Sequence, residues 1–251
     1  MNYKPEKTVS PSQIKRKTII GLISLVLFFA ACIFSWKWLQ HQPKENGALK
    51  PLRGALYANE KLFKGLAGSN GVAKTYDKSD AVKKVRVNGS DGLKNDADTA
   101  NWKLHLVRAP GDTLLIGIEE IKALPKTEII FDFKCIEGWS QVTHWGGVKF
   151  SDFVKKYGLT NQSKMNYSGL VTPDGGYYVG IDNKSMMNRQ TILCYEMNGA
   201  PLPLNQGYPL RLIIPVKYGI KHLKRIGTLF FSNERPKDYW FEQGYDYYSG
   251  L

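Results

Sequence analysis

A chain of 251 residues, 43% hydrophobic and 23% charged, is too apolar to remain disordered and long enough to bury one sizeable core. Its formal charge of +13 suits an anionic partner or ligand, but beyond the N-terminus the basic residues are spread out and accompany no nucleic-acid-binding motif, so no nucleic acid is expected. The three cysteines, Cys32, Cys135 and Cys194, have no CxxC spacing, which gives a zinc or redox-disulfide motif no support.

The first seventeen residues form a basic tail, where Lys4, Lys7, Lys15, Arg16 and Lys17 against Glu6 give +4. From Ile19 to Trp36 no residue is charged, and Leu22, Ile23, Leu25, Val26, Leu27, Phe28 and Phe29 crowd the run. As a helix this stretch spans roughly 27 Å, close to a hydrocarbon core, so residues 18–39 are expected to form a transmembrane anchor. A cleaved signal peptide is the rival, but it would have a shorter apolar core and an A-x-A-like site, which is not evident. Phe29-Ala30-Ala31-Cys32 loosely matches a lipoprotein box, yet Ile33, Phe34 and Trp36 continue the apolar run beyond it. The basic residues before the helix place the N-terminus inside and the main domain on the periplasmic or other extracytoplasmic side. Lys37, Lys44, Lys50 and Arg53 against Glu45 keep that asymmetry small.

Residues 40–75, with Pro43, Pro51 and several glycines, read as a linker interrupted by a short amphipathic helix around Asn59 to Leu66. From residue 76 to 251 the pattern becomes that of one mixed α+β domain with strands predominating. Trp102, Leu104 and Leu106 alternate with Lys103 and His105 as in a strand with one buried face, and Glu119 to Leu124 reads as a short helix ended by Pro125. Ile129, Phe131, Phe133 and Cys135 share one face of a further strand, with Asp132 and Lys134 on the other, so Cys135 is delivered inward just before the turn-prone Glu137-Gly138. Ser151 is the expected N-cap of a helix carrying Phe153, Val154 and Tyr157 and stopped by Gly158. Strands are expected at Tyr177 to Ile181, Thr191 to Met197, Leu210 to Pro215 and Ile226 to Phe231, with Asn198-Gly199 a strong turn signal.

The four histidines have no HExxH setting, and no nucleophile elbow, Walker loop or dinucleotide fingerprint is present. Attention falls on the cysteines and on anion-binding positions. Taken alone, Cys135 is more often a buried small hydrophobe than a ligand, and in an exported domain a Cys135–Cys194 disulfide is the serious alternative. Arg211, Lys217, Lys221, Lys224 and Arg225 recur within fifteen residues among apolar positions and turn glycines. They suit either a solvated face or a cradle for a phosphate.

Phe133-Lys134-Cys135-Ile136-Glu137-Gly138-Trp139-Ser140 resembles the molybdenum-ligating cysteine segment of the sulfite-oxidase-like molybdopterin oxidoreductases. Trp145-Gly146-Gly147-Val148, with Asp152 after it, is similar to that family's W-x-G-V. Leu193 to Pro203, Gly207-Tyr208-Pro209-Leu210-Arg211, Pro215, and Tyr218-Gly219-Ile220-Lys221-His222-Leu223-Lys224 follow its later motifs in order. The resemblance runs from about Val85 to the end of the chain.

It implies a molybdenum–molybdopterin cofactor with Cys135 as the metal ligand and catalytic residue. Arg211, helped by Lys221 and Lys224, would hold the cofactor phosphate. Arg86 and Asn88 would form an upstream arm on the pterin, and Trp139, Gln206 and Tyr218 would be further cofactor contacts. It implies oxygen-atom or two-electron transfer to a small-molecule or protein-bound substrate, such as S-oxide reduction, with a membrane haem protein or a cytochrome as electron partner. Gln206 stands where relatives often have His or Asn. The absence of an immunoglobulin-like domain after Tyr239-Trp240-Phe241 makes the chain most like the short bacterial catalytic subunits, including the protein-methionine-sulfoxide reductase type, and favours a monomer. Lys15-Arg16 stands in place of the twin arginine of exported relatives. Asp174, Asp182 and Asn183 are candidates for the open side of the metal. The alternative is a metal-free ectodomain that binds an anionic partner and is stapled by a disulfide.

Overall fold

The computed structural model describes residues 10–66, 71–93 and 99–251; the first nine residues of the basic tail lie outside them. Helix α1 (Pro11–Gln40) opens where Ser10 accepts a hydrogen bond from the backbone of Gln13, with Pro11 in its first turn, where a missing N–H costs nothing. It starts seven residues earlier than the expected anchor. No residue in it is buried, and it is long and apolar enough to cross a bilayer.

The expected linker is largely ordered structure. Strands β1 (Lys44–Glu45) and β2 (Ala48–Leu49) form a hairpin whose turn, Asn46-Gly47, has positive φ at both residues. They lead into α2 (Lys50–Leu66), which begins nine residues before the expected short helix. Pro51 looked like a helix breaker, but it falls in the first turn, where no backbone hydrogen bond is lost.

The domain then runs through β3 (Lys103–Ala109), β4 (Asp112–Gly117), α3 (Ile118–Lys122), β5 (Lys126–Lys134), β6 (Ser140–Lys149) and α4 (Phe150–Lys156). It continues through β7 (Tyr167–Val171), β8 (Tyr178–Asp182), α5 (Asn183–Met186), β9 (Ile192–Met197) and β10 (Ala200–Pro201), and ends with β11 (Arg211–Ile213), β12 (Thr228–Ser232) and α6 (Tyr239–Glu242). One five-stranded sheet has the order β10-β9-β6-β5, with β11 also on β9, and the other the order β4-β3-β12-β7-β8. Among the described residues every strand pairing in these sheets is antiparallel except β3 with β12, which joins the start of the domain to its end. The fold is the mixed, strand-rich α+β one the sequence suggested.

Strands β4, β6 and β7 were not foreseen. In β6 the register slips between Gly146 and Gly147, and a side chain at 147 would collide with the backbone of Leu193 and Cys194. Glycine is there because two strands meet at a bulge, which strand propensity does not signal. Ser151 is not the N-cap of α4. Strand β6 runs straight into the helix, Lys149 occupies the cap, and the first amide, that of Phe150, is taken by the carbonyl of Thr191 at 3.0 Å.

The main core lies between the sheets and α4, where Leu104, Leu106, Ile116, Phe150, Phe153 and Leu229 are buried together. Each such side chain contributes about 1.5–3 kcal/mol of apolar transfer. A second cluster, with Ile129, Phe131, Trp145, Ile192, Cys194 and Ile213, forms separately around β5, β6, β9 and β11. It forms the floor beneath the candidate site.

Candidate active site

Strand β5 alternates as predicted, with Ile129 and Phe131 buried, and hands over to Cys135, which is 6% exposed. The chain reverses at once: Gly138 donates to the Cys135 carbonyl at 3.1 Å, and Cys135 donates to the Trp139 carbonyl at 2.9 Å. Gly138 sits at φ +90°, a conformation that a side chain would resist. The turn lays Trp139 against Phe133, rings stacked 6.1 Å apart, and the guanidinium of Arg86 lies 4.7 Å from the Trp139 ring centre. Asn88 points its amide at the Cys135 sulfur, 3.6 Å away. Hydrogen bonds from Asn88 and from Trp139 hold the Glu137 carboxyl below its ordinary range.

The facing wall is cationic. Arg211, 2% exposed, donates to the carbonyl and the side-chain oxygen of Gln206 at 3.1 and 2.8 Å and to the His222 carbonyl at 3.4 Å, and it lies over Trp145 at 4.6 Å. Its Nε is buried with no hydrogen-bond partner among the described residues. Burial lowers its pKa to about 10. Lys224 donates to the carbonyls of Asn88 and Gly89 at 2.7 and 3.0 Å, and burial, then the charge of Arg211, lower its pKa to about 8. Gly207, at φ +99°, allows the backbone of Lys224 and Arg225 to press against it. Among the described residues no carboxylate is within ion-pair distance of Arg86, Arg211 or Lys224.

His222 also faces this pocket. Burial, then Arg211, push its pKa down to about 3, so it is neutral. Its Nε2–H donates to the Lys217 carbonyl at 3.1 Å while Nδ1 accepts from the Ile214 amide at 3.4 Å, an arrangement that defines the tautomer.

Arg86, Asn88, Cys135, Trp139, Gln206, Arg211 and Lys224 thus line one pocket. Two of the expected contacts are elsewhere. Lys221 does not reach a phosphate from this pocket: its ammonium, 1% exposed, pairs with Asp238 and donates to the Gly180 carbonyl at 3.1 Å. The tight turn at Gly219–Lys221 aims it away from Lys224, three residues on. Tyr218 does not line the pocket, although Gly219 and Ile220 beside it do. Sequence reasoning overlooked Gln141, Thr143, Tyr177, His222, Trp240 and Tyr245 as lining residues. His222 lay inside the quoted Tyr218 to Lys224 motif, whereas Trp240 and Tyr245 had no local signal.

The expected open-side polar residues belong to other structures. Asp182 pairs with Lys217 at 2.8 Å and caps α5, Asn183 is buried against Ser168, and Asp174 accepts from Thr172 and Gly176 within its own turn. Asp182 borders a larger hollow of about 580 Å³ together with Asp132 and Lys134, the outward residues of β5, and no cysteine or histidine among the described residues lines that hollow. Cys135 and Cys194 are both free thiols in the structure, with no disulfide between them. Cys194 lies in the apolar floor, donates to the Glu196 carbonyl at 3.2 Å, and has its pKa pushed up to about 12 by burial.

Residues 91–240 match the family model described as oxidoreductase molybdopterin binding domain. The chain is 33% identical over 162 residues to the Azospira oryzae subunit YedZ1, provisionally named for protein-methionine-sulfoxide reductase, a match covering 64% of this chain and 60% of that one. It is 30% identical to the protein-methionine-sulfoxide reductase catalytic subunit MsrP of Campylobacter jejuni, covering 59% of this chain and 54% of the relative. The Bacillus subtilis oxidoreductase YuiH is 28% identical, with 59% of this chain and 74% of that protein aligned. The matched segment therefore spans little more than half of the first two relatives. The family match covers more than half of this sequence and includes Cys135, Arg211 and Lys224. The chain belongs to the sulfite-oxidase-like family of molybdopterin-binding oxidoreductases.

Proposed function

We propose that this protein is a membrane-anchored S-oxide reductase whose Cys135 ligates molybdenum. The observation that carries the reading is the convergence on one pocket of Cys135 with the buried Arg211 and the half-buried Lys224, neither of which has a carboxylate within ion-pair distance among the described residues. A buried guanidinium with an unpaired N–H, beside a lysine whose pKa burial and a like charge have lowered, is a site where an incoming dianion recovers lost electrostatic energy. The residues therefore fit the cofactor, with Arg211 and Lys224 toward its phosphate, Arg86, Asn88 and Gln206 toward the pterin, and the Cys135 thiolate toward the metal.

When bound, the molybdenum–molybdopterin group supplies the two-electron and oxygen-atom exchange. This chain's own residues hold and screen it. Trp139 and Arg86 close over the strand end that presents Cys135, and the Asn88 amide stabilises negative charge on its sulfur. Neutral His222 packs against Phe133 at 4.7 Å and leaves Arg211 without a competing carboxylate. The names of the similar reductases support a methionine sulfoxide substrate, free or in a protein. Its reduction takes two electrons and two protons and yields the thioether and water. The apolar helix α1 supports a membrane anchor. The reading further takes the catalytic domain to lie on the periplasmic side, with a membrane haem protein or cytochrome as electron donor and the enzyme a monomer.

Molybdenum content of the protein, purified from its own cells or from a host that makes the cofactor, tests the metal assignment beside a Cys135→Ser variant. Near-stoichiometric metal in the wild type, with loss or an altered spectroscopic signature in the variant, is expected. A folded wild-type preparation without molybdenum would overturn it.

A further inference from the structure

The family match begins at residue 91, so the hairpin β1–β2 and α2 lie outside it, yet a buried cation ties them to the end of the chain. Arg53, 1% exposed, donates to the carbonyls of Glu45 (3.3 Å), Tyr245 (2.8 Å) and Phe241 (3.0 Å), and to that of Asn46. Two of these carbonyls belong to the hairpin and two to the segment 241–245. The Phe241 ring lies 4.2 Å from the guanidinium. A side chain at Gly47 would collide with the backbone of Gln243 and Gly244, so the hairpin tip rests directly on that segment. Further along α2, Glu60 pairs with Arg235 at 2.6 Å.

The clamped segment contributes Trp240 and Tyr245 to the Cys135 pocket, and their rings meet edge to face at 5.1 Å. Helix α6, which carries Trp240, is a single turn, too short to be stable unaided. We propose that residues 44–60 act as a strap, with Arg53 as a positioning residue, that fixes Trp240 and Tyr245 as one wall of the active site. The inference rests on the reading that this pocket holds the cofactor. The guanidinium's five fixed donors reach four carbonyls of two segments at once, more than the three donors of an ammonium can serve, so the chemistry of Arg53 suits fastening.

Hydrogen exchange measured by mass spectrometry, on full-length protein with and without cofactor, tests the strap. In Arg53→Ala, exchange in peptides covering residues 239–247 should accelerate about tenfold or more while β5–β6 peptides stay within about twofold. In the loaded enzyme the KM for methionine sulfoxide should rise several-fold with kcat changed by less than about twofold. Arg53→Lys should recover only part of the protection, and Glu60→Gln, which loosens the far end of the strap, should give a smaller acceleration in the same peptides. Unchanged exchange at 239–247 in Arg53→Ala, or equal acceleration throughout the domain, would overturn the proposal. A wild type lacking molybdenum would instead overturn the cofactor reading, and exchange in the cofactor-free protein would still decide the strap.

Discussion

Lys221 and Lys224 stand three residues apart and belong to two electrostatic regions built on opposite terms. On one side Lys221 pairs with Asp238 and Lys217 with Asp182, all four shielded from water to a large extent. On the other, Arg211 and Lys224 are held by carbonyls and an amide oxygen alone. A buried cation with an internal carboxylate is already neutralised and can only support the fold. One solvated by neutral dipoles keeps its charge for a ligand, at some cost to the stability of the empty protein. The difference separates structural lysines from binding ones where sequence spacing cannot.

Removing the structural cation should have the largest effect: Lys221→Ala leaves the Asp238 carboxylate buried without its partner and should cost about 3–5 kcal/mol in urea unfolding of the cofactor-free protein. If stability were unchanged and only cofactor retention fell, the two regions would have been assigned the wrong way round. Arg211→Met should do the reverse, with a cost of roughly 1–2 kcal/mol for lost hydrogen bonds but a large fall in cofactor content measured on the folded protein. Full cofactor occupancy in this variant would remove Arg211 from the phosphate site.

The smallest effect is in the pH dependence of Lys224. In the empty protein its pKa is lowered to about 8 by burial and by Arg211, and a bound anion would raise it again. Affinity for a phosphate-bearing ligand should then be full below about pH 8 and weaken as pH rises above it, by at most about tenfold per unit. Calorimetric titration with inorganic pyrophosphate should show this slope in the wild type and lose it in Lys224→Gln. The same lysine binds fewer protons folded than unfolded between pH 8 and 10.5, so it should make the empty protein more stable as pH climbs through that window. An affinity independent of pH from 7 to 9.5 would show that Lys224 does not face the anion.

Much of the site was legible because local periodicity dictates it. The alternation from Ile129 to Cys135 put the thiol on the inward face, and the structure keeps that register through to the turn at Gly138. The ordered motifs around Gly207, Arg211 and Lys224 were readable for a similar reason, since each is a short stretch whose turns and charges are contiguous. Strand β6 was missed because Gly146-Gly147 reads as a loop until β9 is placed against it. The first half of helix α2 was missed because Pro51 and Gly54 resemble breakers out of context.

By itself the sequence determined the apolar run of α1, the mixed α+β character, the inward direction of Cys135 and the family to which the chain belongs. These follow from covalent order, from the two-residue period of strands and from motifs whose residues are neighbours along the chain. Only the tertiary structure decided that Lys221 meets Asp238 while Lys224 meets the pocket, that Cys194 of β9 lies in the apolar floor under the pocket, and that Arg53 fastens the wall bearing Trp240 and Tyr245. Those outcomes depend on which distant backbone carbonyl or carboxylate arrives within 3 Å of a charged group. Packing sets that distance, and no local pattern encodes it.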